Sequence, residues 1–378
     1  MTSGHPHGTH GTHGTHGTHG THGAHGAHEA HPAERRPPLL AEWRDAVTPR
    51  AVALVVGVLL LQLGFILSYA GAFHDPKPHR IALGVVAPAG APAGAAQQTV
   101  ERLNALDGEP LHATVVASEA SAVDKIKGRD LDGALVAGTS GTDRLLVASA
   151  EGGSLSGALA GVMTPIEAAQ QRTLTVEDLV PAARGDARGL TAFYLAVGWV
   201  VGGYLVASIL AISAGAKPAN VRRARVRLGA LALYSIVSGI GGALIVGPVL
   251  GALSGSFWTL AGFGALVVFS VGAFTMAIQA LTGVLGIGIA VLLFVVLGNP
   301  SAGGAYPGPL LPGFWRVIGP YLPPGAGTSG IRGIVYFGDA GTLRPLLVSI
   351  GYALVGGIVL LLVSAARRHS SLISSAPA

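Results

Sequence analysis

The sequence contains no cysteine, so disulfides, thiolate metal centres and cysteine nucleophiles are excluded, and redox chemistry says nothing about its compartment. Charge is scarce as well. Lys, Arg, Asp and Glu make up 11% of the 378 residues against 50% apolar residues, and the mean hydropathy is positive. A soluble globular domain carries roughly 25% charged residues. Also missing are a phosphate-binding Gly-x-x-x-x-Gly-Lys-Ser/Thr sequence, a His-Glu-x-x-His pair and a Gly-x-Ser-x-Gly nucleophile turn. The chain therefore reads as a non-enzyme that takes no cofactor and hydrolyses no nucleotide by itself. Its net charge of +5 does not point to nucleic acid, because the Lys and Arg residues flank apolar runs instead of forming a basic face.

What is abundant is clustered apolar sequence. Uncharged runs at about 51–73, 190–213, 229–250, 257–279, 281–297 and 345–365 approach or exceed the roughly 20 residues that cross a bilayer as a helix. They predict an α-helical polytopic membrane protein with about six transmembrane helices, its direct partner the lipid bilayer. Ala70-Gly71-Ala72 has the form of a signal-cleavage site, but the first run is longer than a signal core of roughly 7–15 residues and reads as a retained anchor.

Between the first two runs, residues 74–189 carry ten Lys or Arg and fourteen Asp or Glu. Strands at 80–87, 111–118, 133–137 and 144–148 alternate with helices at 97–106, 120–127 and 155–174. This order predicts an inserted small α/β domain. Asp178, Asp186 and Arg188 close it, as a solvated boundary loop or as a rigid connector from the domain to the bundle.

Lys and Arg in short loops mark the cytoplasmic side. Lys217, Arg222, Arg223, Arg225 and Arg227 follow the second run, Arg367 and Arg368 follow the last, and Arg35, Arg36, Arg44 and Arg50 precede the first. All three clusters predict one orientation, both termini cytoplasmic and the α/β domain extracytoplasmic, and the Ala-, Gly-, Val- and Arg-rich usage points to a bacterial plasma membrane. The outer segment 298–344 interleaves Pro and Gly with Phe314, Trp315, Tyr321, Tyr336 and Phe337, and predicts short amphipathic pieces lying at, or dipping into, the membrane surface.

Intramembrane Asp, Glu, Lys or Arg residues are the usual coupling sites of ion-driven transporters. The run interiors hold none, and Gln62, Tyr204, Tyr234, Ser235, Ser238, Thr275 and Gln279 supply their polarity. Proton- or sodium-driven transport is disfavoured accordingly. Gly198/Gly202 and Gly247/Gly251/Gly255, at four-residue spacing, are candidates for close helix crossing. The first 38 residues are a low-complexity tail with His10, His13, His16, His19, His22, His25, His28 and His31 in register. Neutral imidazoles bind zinc, nickel or copper, but a slipping repeat fixes no geometry, so adventitious binding is the reading, with metal handling a weaker alternative.

Asp178-Leu179-Val180-Pro181, Gly185-Asp186-Ala187-Arg188-Gly189, the stretch from Asn299-Pro300-Ser301 through Leu311-Pro312-Gly313-Phe314-Trp315-Arg316, Leu322-Pro323-Pro324-Gly325 and Ile331-Arg332-Gly333 resemble the type-2 ABC exporter permeases. The nearest branch is that of the phage-infection-protein (YhgE/Pip) and nitrosoguanidine-resistance membrane proteins. The likeness spans about residues 45–368. It implies a permease half, pairing as a homo- or heterodimer and driven by a separate ABC ATPase, that exports an amphipathic or lipid-like substrate. The ATPase would dock on Lys217 to Arg227 and on 42–50, while Trp315 and Arg332 belong to the external hairpin. The alternative is a non-transporting membrane scaffold or surface receptor acting through the α/β domain.

Overall fold

The computed structural model describes residues 48–374; the histidine repeat and residues 42–47 of the expected docking stretch lie outside them. Helix α1 (Pro49–Phe73) has 25 residues, about 37 Å at 1.5 Å per residue, against about 30 Å of hydrocarbon. From residue 54 onward only Ser68 and Ala72 of this helix are buried, and Val58, Leu60 and Leu67 point outward with 65%, 63% and 73% exposure.

The α/β domain follows as β1 (Ile81–Val86), α2 (Ala95–Asn104), β2 (Leu111–Val115), α3 (Glu119–Lys127), β3 (Gly133–Val136), β4 (Thr142–Val147), α4 (Gly153–Ala169) and β5 (Thr173–Asp178). The sheet order is β2-β1-β3-β4-β5. The first three strands run parallel, β4 is antiparallel to β3, and β5 is parallel to β4. Strand β1, Ile-Ala-Leu-Gly-Val-Val, is apolar on both faces because helices cover both. Val100 and Leu103 of α2 with Leu155, Leu159 and Met163 of α4 pack against Ile81, Leu83 and Val85. Ala122 and Ile126 of α3 pack on the opposite face with Val86, Ala134 and Leu146. The Ser118 side chain caps α3 by accepting the Ser121 N–H at 3.1 Å.

Sequence reading carries the helix that becomes α4 on to residue 174. In the structure it ends at Ala169, and Gln171 at φ 58° turns the chain into β5. Strand β5 is an exposed edge, Thr-Leu-Thr-Val-Glu-Asp, with only Leu174 half-buried; so little inward apolar surface explains its absence from the hydrophobic pattern.

The helical part comprises α5 (Thr191–Ala214), α6 (Val221–Leu244), α7 (Phe257–Thr282), α8 (Leu285–Val291), α9 (Gly313–Ile318), α10 (Pro323–Tyr336) and α11 (Leu343–Ser374). Among the described residues five helices, α1, α5, α6, α7 and α11, are long and apolar enough to cross a membrane, so the fold is compatible with a polytopic membrane protein. The segment expected at 281–297 takes a different form. It consists of the 7-residue α8 and a 6-residue π turn, Leu292–Leu297, together about 20 Å long. It is cut off from α7 by Gly283 at φ 69°. A second π turn, Ile245–Val249, extends α6 around Pro248, whose missing N–H cannot close an ordinary α-turn.

Helix α7 is the hub, packed on α5, α6 and α11. A Cβ on Gly203 of α5 would lie 2.7 Å from the Val268 carbonyl oxygen, one on Gly239 of α6 2.3 Å from that of Ala261, and one on Gly356 of α11 2.4 Å from the Phe274 nitrogen. Close crossing therefore runs through these three glycines. Of the glycines expected from spacing, Gly202 would meet the Tyr234 hydroxyl at 3.1 Å and Gly255 the Val335 Cα at 3.3 Å, Gly247 reaches only the Leu253 carbonyl at 3.7 Å, and Gly198 and Gly251 have no neighbour within 4 Å. Of the outer pieces, α9 leaves Phe314 and Val317 exposed. By contrast α10 is buried from Pro323 to Thr328 and again from Gly330 to Ile334, wedged among α5, α7 and α11.

Candidate functional site

The site is built where the α/β domain meets α10. Gly128 caps the C-terminus of α3, and the next residue, Arg129, takes the left-handed conformation (φ 65°). Its guanidinium leaves the domain and reaches α10, where Nη1 donates to the Ser329 carbonyl and Nη2 to the Ser329 hydroxyl, both at 3.0 Å. Nη2 also pairs with Glu151 Oε1 at 2.7 Å, and the Phe337 ring lies 5.3 Å beneath. From the other side, Arg332 of α10 is 3% exposed. It donates to the carbonyls of Gly303 at 2.9 Å and Gly189 at 3.2 Å. Burial pulls the Arg332 pKa below the usual range, opposed by the nearby Glu151 charge.

One turn further on, the Tyr336 hydroxyl donates to Asp186 Oδ2 at 2.6 Å, while Asp186 Oδ1 accepts the Thr191 N–H at 2.7 Å at the start of α5. Burial and the Asp186 carboxylate raise the Tyr336 pKa. Asp186 is thus a buried link between α5 and α10.

Beside this joint lies a cavity of about 740 Å³, within the usual range for ligand sites. Its wall carries Arg129, Arg316, Arg332 and Arg344 against the carboxyls of Asp132 and Glu151. Among the described residues only Arg129 of the four arginines has a carboxylate partner. The Nε–H groups of Arg129 and Arg332 and the Oε2 of Glu151 are buried without a hydrogen-bond partner, a condition that costs roughly 1–3 kcal/mol per group. Asp132 accepts the Ala82 N–H at 2.8 Å; burial lifts its pKa to about 6, against that hydrogen bond. With both acids ionised the wall keeps an excess of two positive charges.

A second space of about 740 Å³, lined mainly by Tyr194, Trp199, Ile245, Val246 and Leu250, opens between α5 and α6. It is apolar and holds no charged residue.

The residues singled out from sequence divide between the joint and other places. Asp186 and Arg332 meet there. Arg188 is exposed, at φ 63°. Asp178 ends β5 and accepts the Ser149 N–H and hydroxyl, at 3.1 and 2.5 Å, so it braces the loop that carries Glu151. Trp315 tethers α9 to α1: its Nε1 donates to the Ser68 hydroxyl at 3.1 Å, and its ring lies where a Cβ on Gly71 would be, at 2.8 Å. Lys217, Arg222, Arg223 and Arg225 are exposed, and Arg227 is half-buried with Nη2 on the Ala214 carbonyl. His10 to His31 lie outside the described residues. Arg129, Asp132, Glu151, Arg316 and Arg344 were not singled out from the sequence. Each looks like an ordinary surface charge there, because its setting depends on residues up to 211 positions away.

A separate buried cluster holds the far end of β4. Asp143 is 2% and Glu167 3% exposed, and Arg172 forks onto Asp143 at 2.5 Å. Burial first, and then the hydrogen bond with Asp143, push the Glu167 pKa up to about 7. Its partners are all internal, and it closes the β4–β5 end of the sheet.

Fold and site together define a helical membrane-compatible protein with a mixed-sheet domain fastened to its bundle by buried arginines. No protein-family model, curated protein or solved structure matches the chain.

Proposed function

We propose that the chain is the permease subunit of an ABC-type exporter for an amphipathic or lipid-like substrate, energised by a separate ATPase. The observation that carries this reading is the separation of charge from span. The long helices hold no Asp, Glu, Lys or Arg in their interiors, while arginines gather in a cavity at the domain joint and an apolar space opens between α5 and α6. An uncharged bundle offers no site for proton or sodium coupling, so the energy has to come from another subunit. The likeness of its Asn-Pro and Leu-Pro-Gly-Phe-Trp stretch to the outer hairpin of type-2 ABC permeases supports the same view.

In this proposal six crossings are made, five by the long helices and one by the segment 281–297, which starts near Lys217, whose Cε is 3.8 Å from the Cβ position of Gly283, and leads into the outer stretch where Gly304 lies against the Phe193 ring at the start of α5. The basic loop 217–227 then lies in the cytoplasm as the ATPase dock, with the α/β domain outside and the chain in a bacterial plasma membrane. Purification from native membranes in mild detergent tests it. A stoichiometric nucleotide-binding subunit with vanadate-sensitive hydrolysis is expected, and recovery of the chain alone sinks the exporter reading. The second reading, a scaffold or receptor, draws on the open sheet edges β2 and β5, where Val115 and Val176 are 48% and 52% exposed, and it predicts that deleting residues 80–185 abolishes all activity.

A further inference from the structure

We infer that the arginine-lined cavity at the domain joint binds the phosphate group of an anionic amphiphile, headgroup first. Arg316, Arg332 and Arg344 reach the cavity wall with no carboxylate paired to them, and Arg332 keeps a buried Nε–H with no acceptor. Planar guanidinium forks match phosphate oxygens bidentately, and in a partly dehydrated cavity such charge-assisted hydrogen bonds are at their strongest. The excess of two positive charges over Asp132 and Glu151 suits one phosphate mono- or diester. The two acids sit on the domain side with Arg129 and leave Arg316 and Arg344 to meet the incoming anion.

The second step is the rim. Leu343 and Leu347 line the same cavity, are 71% and 58% exposed, and belong to the first turns of α11, an apolar span. A phosphate held by Arg316 and Arg344 therefore has an apolar track leading away from it along the outside of α11, where hydrocarbon chains can lie. A soluble phosphate has no use for that track; an amphiphile does. The side chains of Arg316 and Arg344 have no hydrogen bond or ion pair among the described residues, so the structure gives their guanidinium groups no internal task. The assignment of this amphiphile as the exported substrate rests on the exporter reading; the binding site itself does not.

The test uses the full chain in phosphatidylcholine nanodiscs, titrated calorimetrically with dihexanoyl phosphatidic acid, with dihexanoyl phosphatidylcholine and with inorganic phosphate. Phosphatidic acid is expected to bind at least about tenfold more tightly than inorganic phosphate. The double variant Arg316→Gln/Arg344→Gln is expected to lose roughly tenfold or more of that affinity, while Lys125→Gln, on α3, leaves it unchanged. Equal affinity for inorganic phosphate and phosphatidic acid overturns the amphiphile and leaves a soluble phosphate ester as the ligand. No binding of either, or binding that the double variant does not weaken, overturns the site. Because Arg332 has structural partners, Arg332→Lys is read only after its thermal unfolding matches that of the parent chain, and it is then expected to weaken phosphatidic acid as well. No ATPase is present in this assay, so a filled site without a co-purifying nucleotide-binding subunit would sink the exporter reading and keep the site.

Discussion

Asp132 lies on the cavity wall with its carboxylate on the Ala82 N–H, and its folded pKa of about 6 exceeds the ordinary carboxylate value. Protonation is therefore easier in the folded chain than in the unfolded one. The stability this adds is complete below about pH 4 and is lost as the pH rises through about 6. Asp132→Asn keeps an oxygen for the Ala82 N–H and cannot ionise. It is expected to match the parent at pH 4 and to exceed it at pH 8 by about 2 kcal/mol, the two-unit shift discounted for partial exposure. Denaturant unfolding at the two pH values decides it, and a variant equally destabilised at both would show that Asp132 is a structural acceptor only. At this scale the sequence was least informative. Asp186 and Arg332 stood out because they lie in Pro- and Gly-punctuated stretches, whereas Arg129 and Asp132 sit in Gly-Arg-Asp-Leu-Asp, a plain turn sequence whose arginine meets α10 only in three dimensions.

At the scale of elements, run length made the long helices legible and alternation made four of the five strands legible, because those strands bury an apolar face against the helices of the domain. They missed β5, an edge strand with one inward residue, and they drew 281–297 as an ordinary span because apolar length alone cannot see Gly283 or a π turn. Spacing picked out Gly202 and Gly255, which meet Tyr234 and Val335, together with Gly198 and Gly251, which meet nothing within 4 Å, because contact is set by which helix face is turned to a neighbour. Gly239→Ala drives a methyl into the backbone of α7 at Ala261 and Ala265, and is expected to cost about 1–3 kcal/mol. Gly198→Ala, in open space, is expected to be neutral or slightly stabilising, since alanine is the better helix former. Thermal unfolding of the two variants in one detergent checks the pair; equal melting temperatures would mean that the α6–α7 crossing shifts to make room.

For the whole molecule, apolar run length pointed to helices compatible with a membrane and the alternation of strands and helices to an inserted α/β domain, while orientation rests on the basic clusters. The lack of native cysteine gives a clean test with an impermeant maleimide on intact cells. Ser140→Cys, in the exposed β3–β4 turn, is expected to label, and Ala219→Cys, in the exposed basic loop, to label only after permeabilisation. The reverse pattern would invert the protein in its membrane and put the arginine cavity on the cytoplasmic side.

The bonds that fasten the domain to the bundle join Arg129 to residues 200 and 211 positions downstream. The ribosome therefore finishes the sheet, at Asp178, long before it makes the helix on which the sheet docks. At about 5–20 residues per second the wait is roughly eight to thirty seconds, during which Arg129 lacks its partners on α10. The cores on the two faces of the sheet wait as well, since Leu310 completes one and Phe337 the other; the arrival of residues 306–340 therefore docks the domain and finishes its interior together.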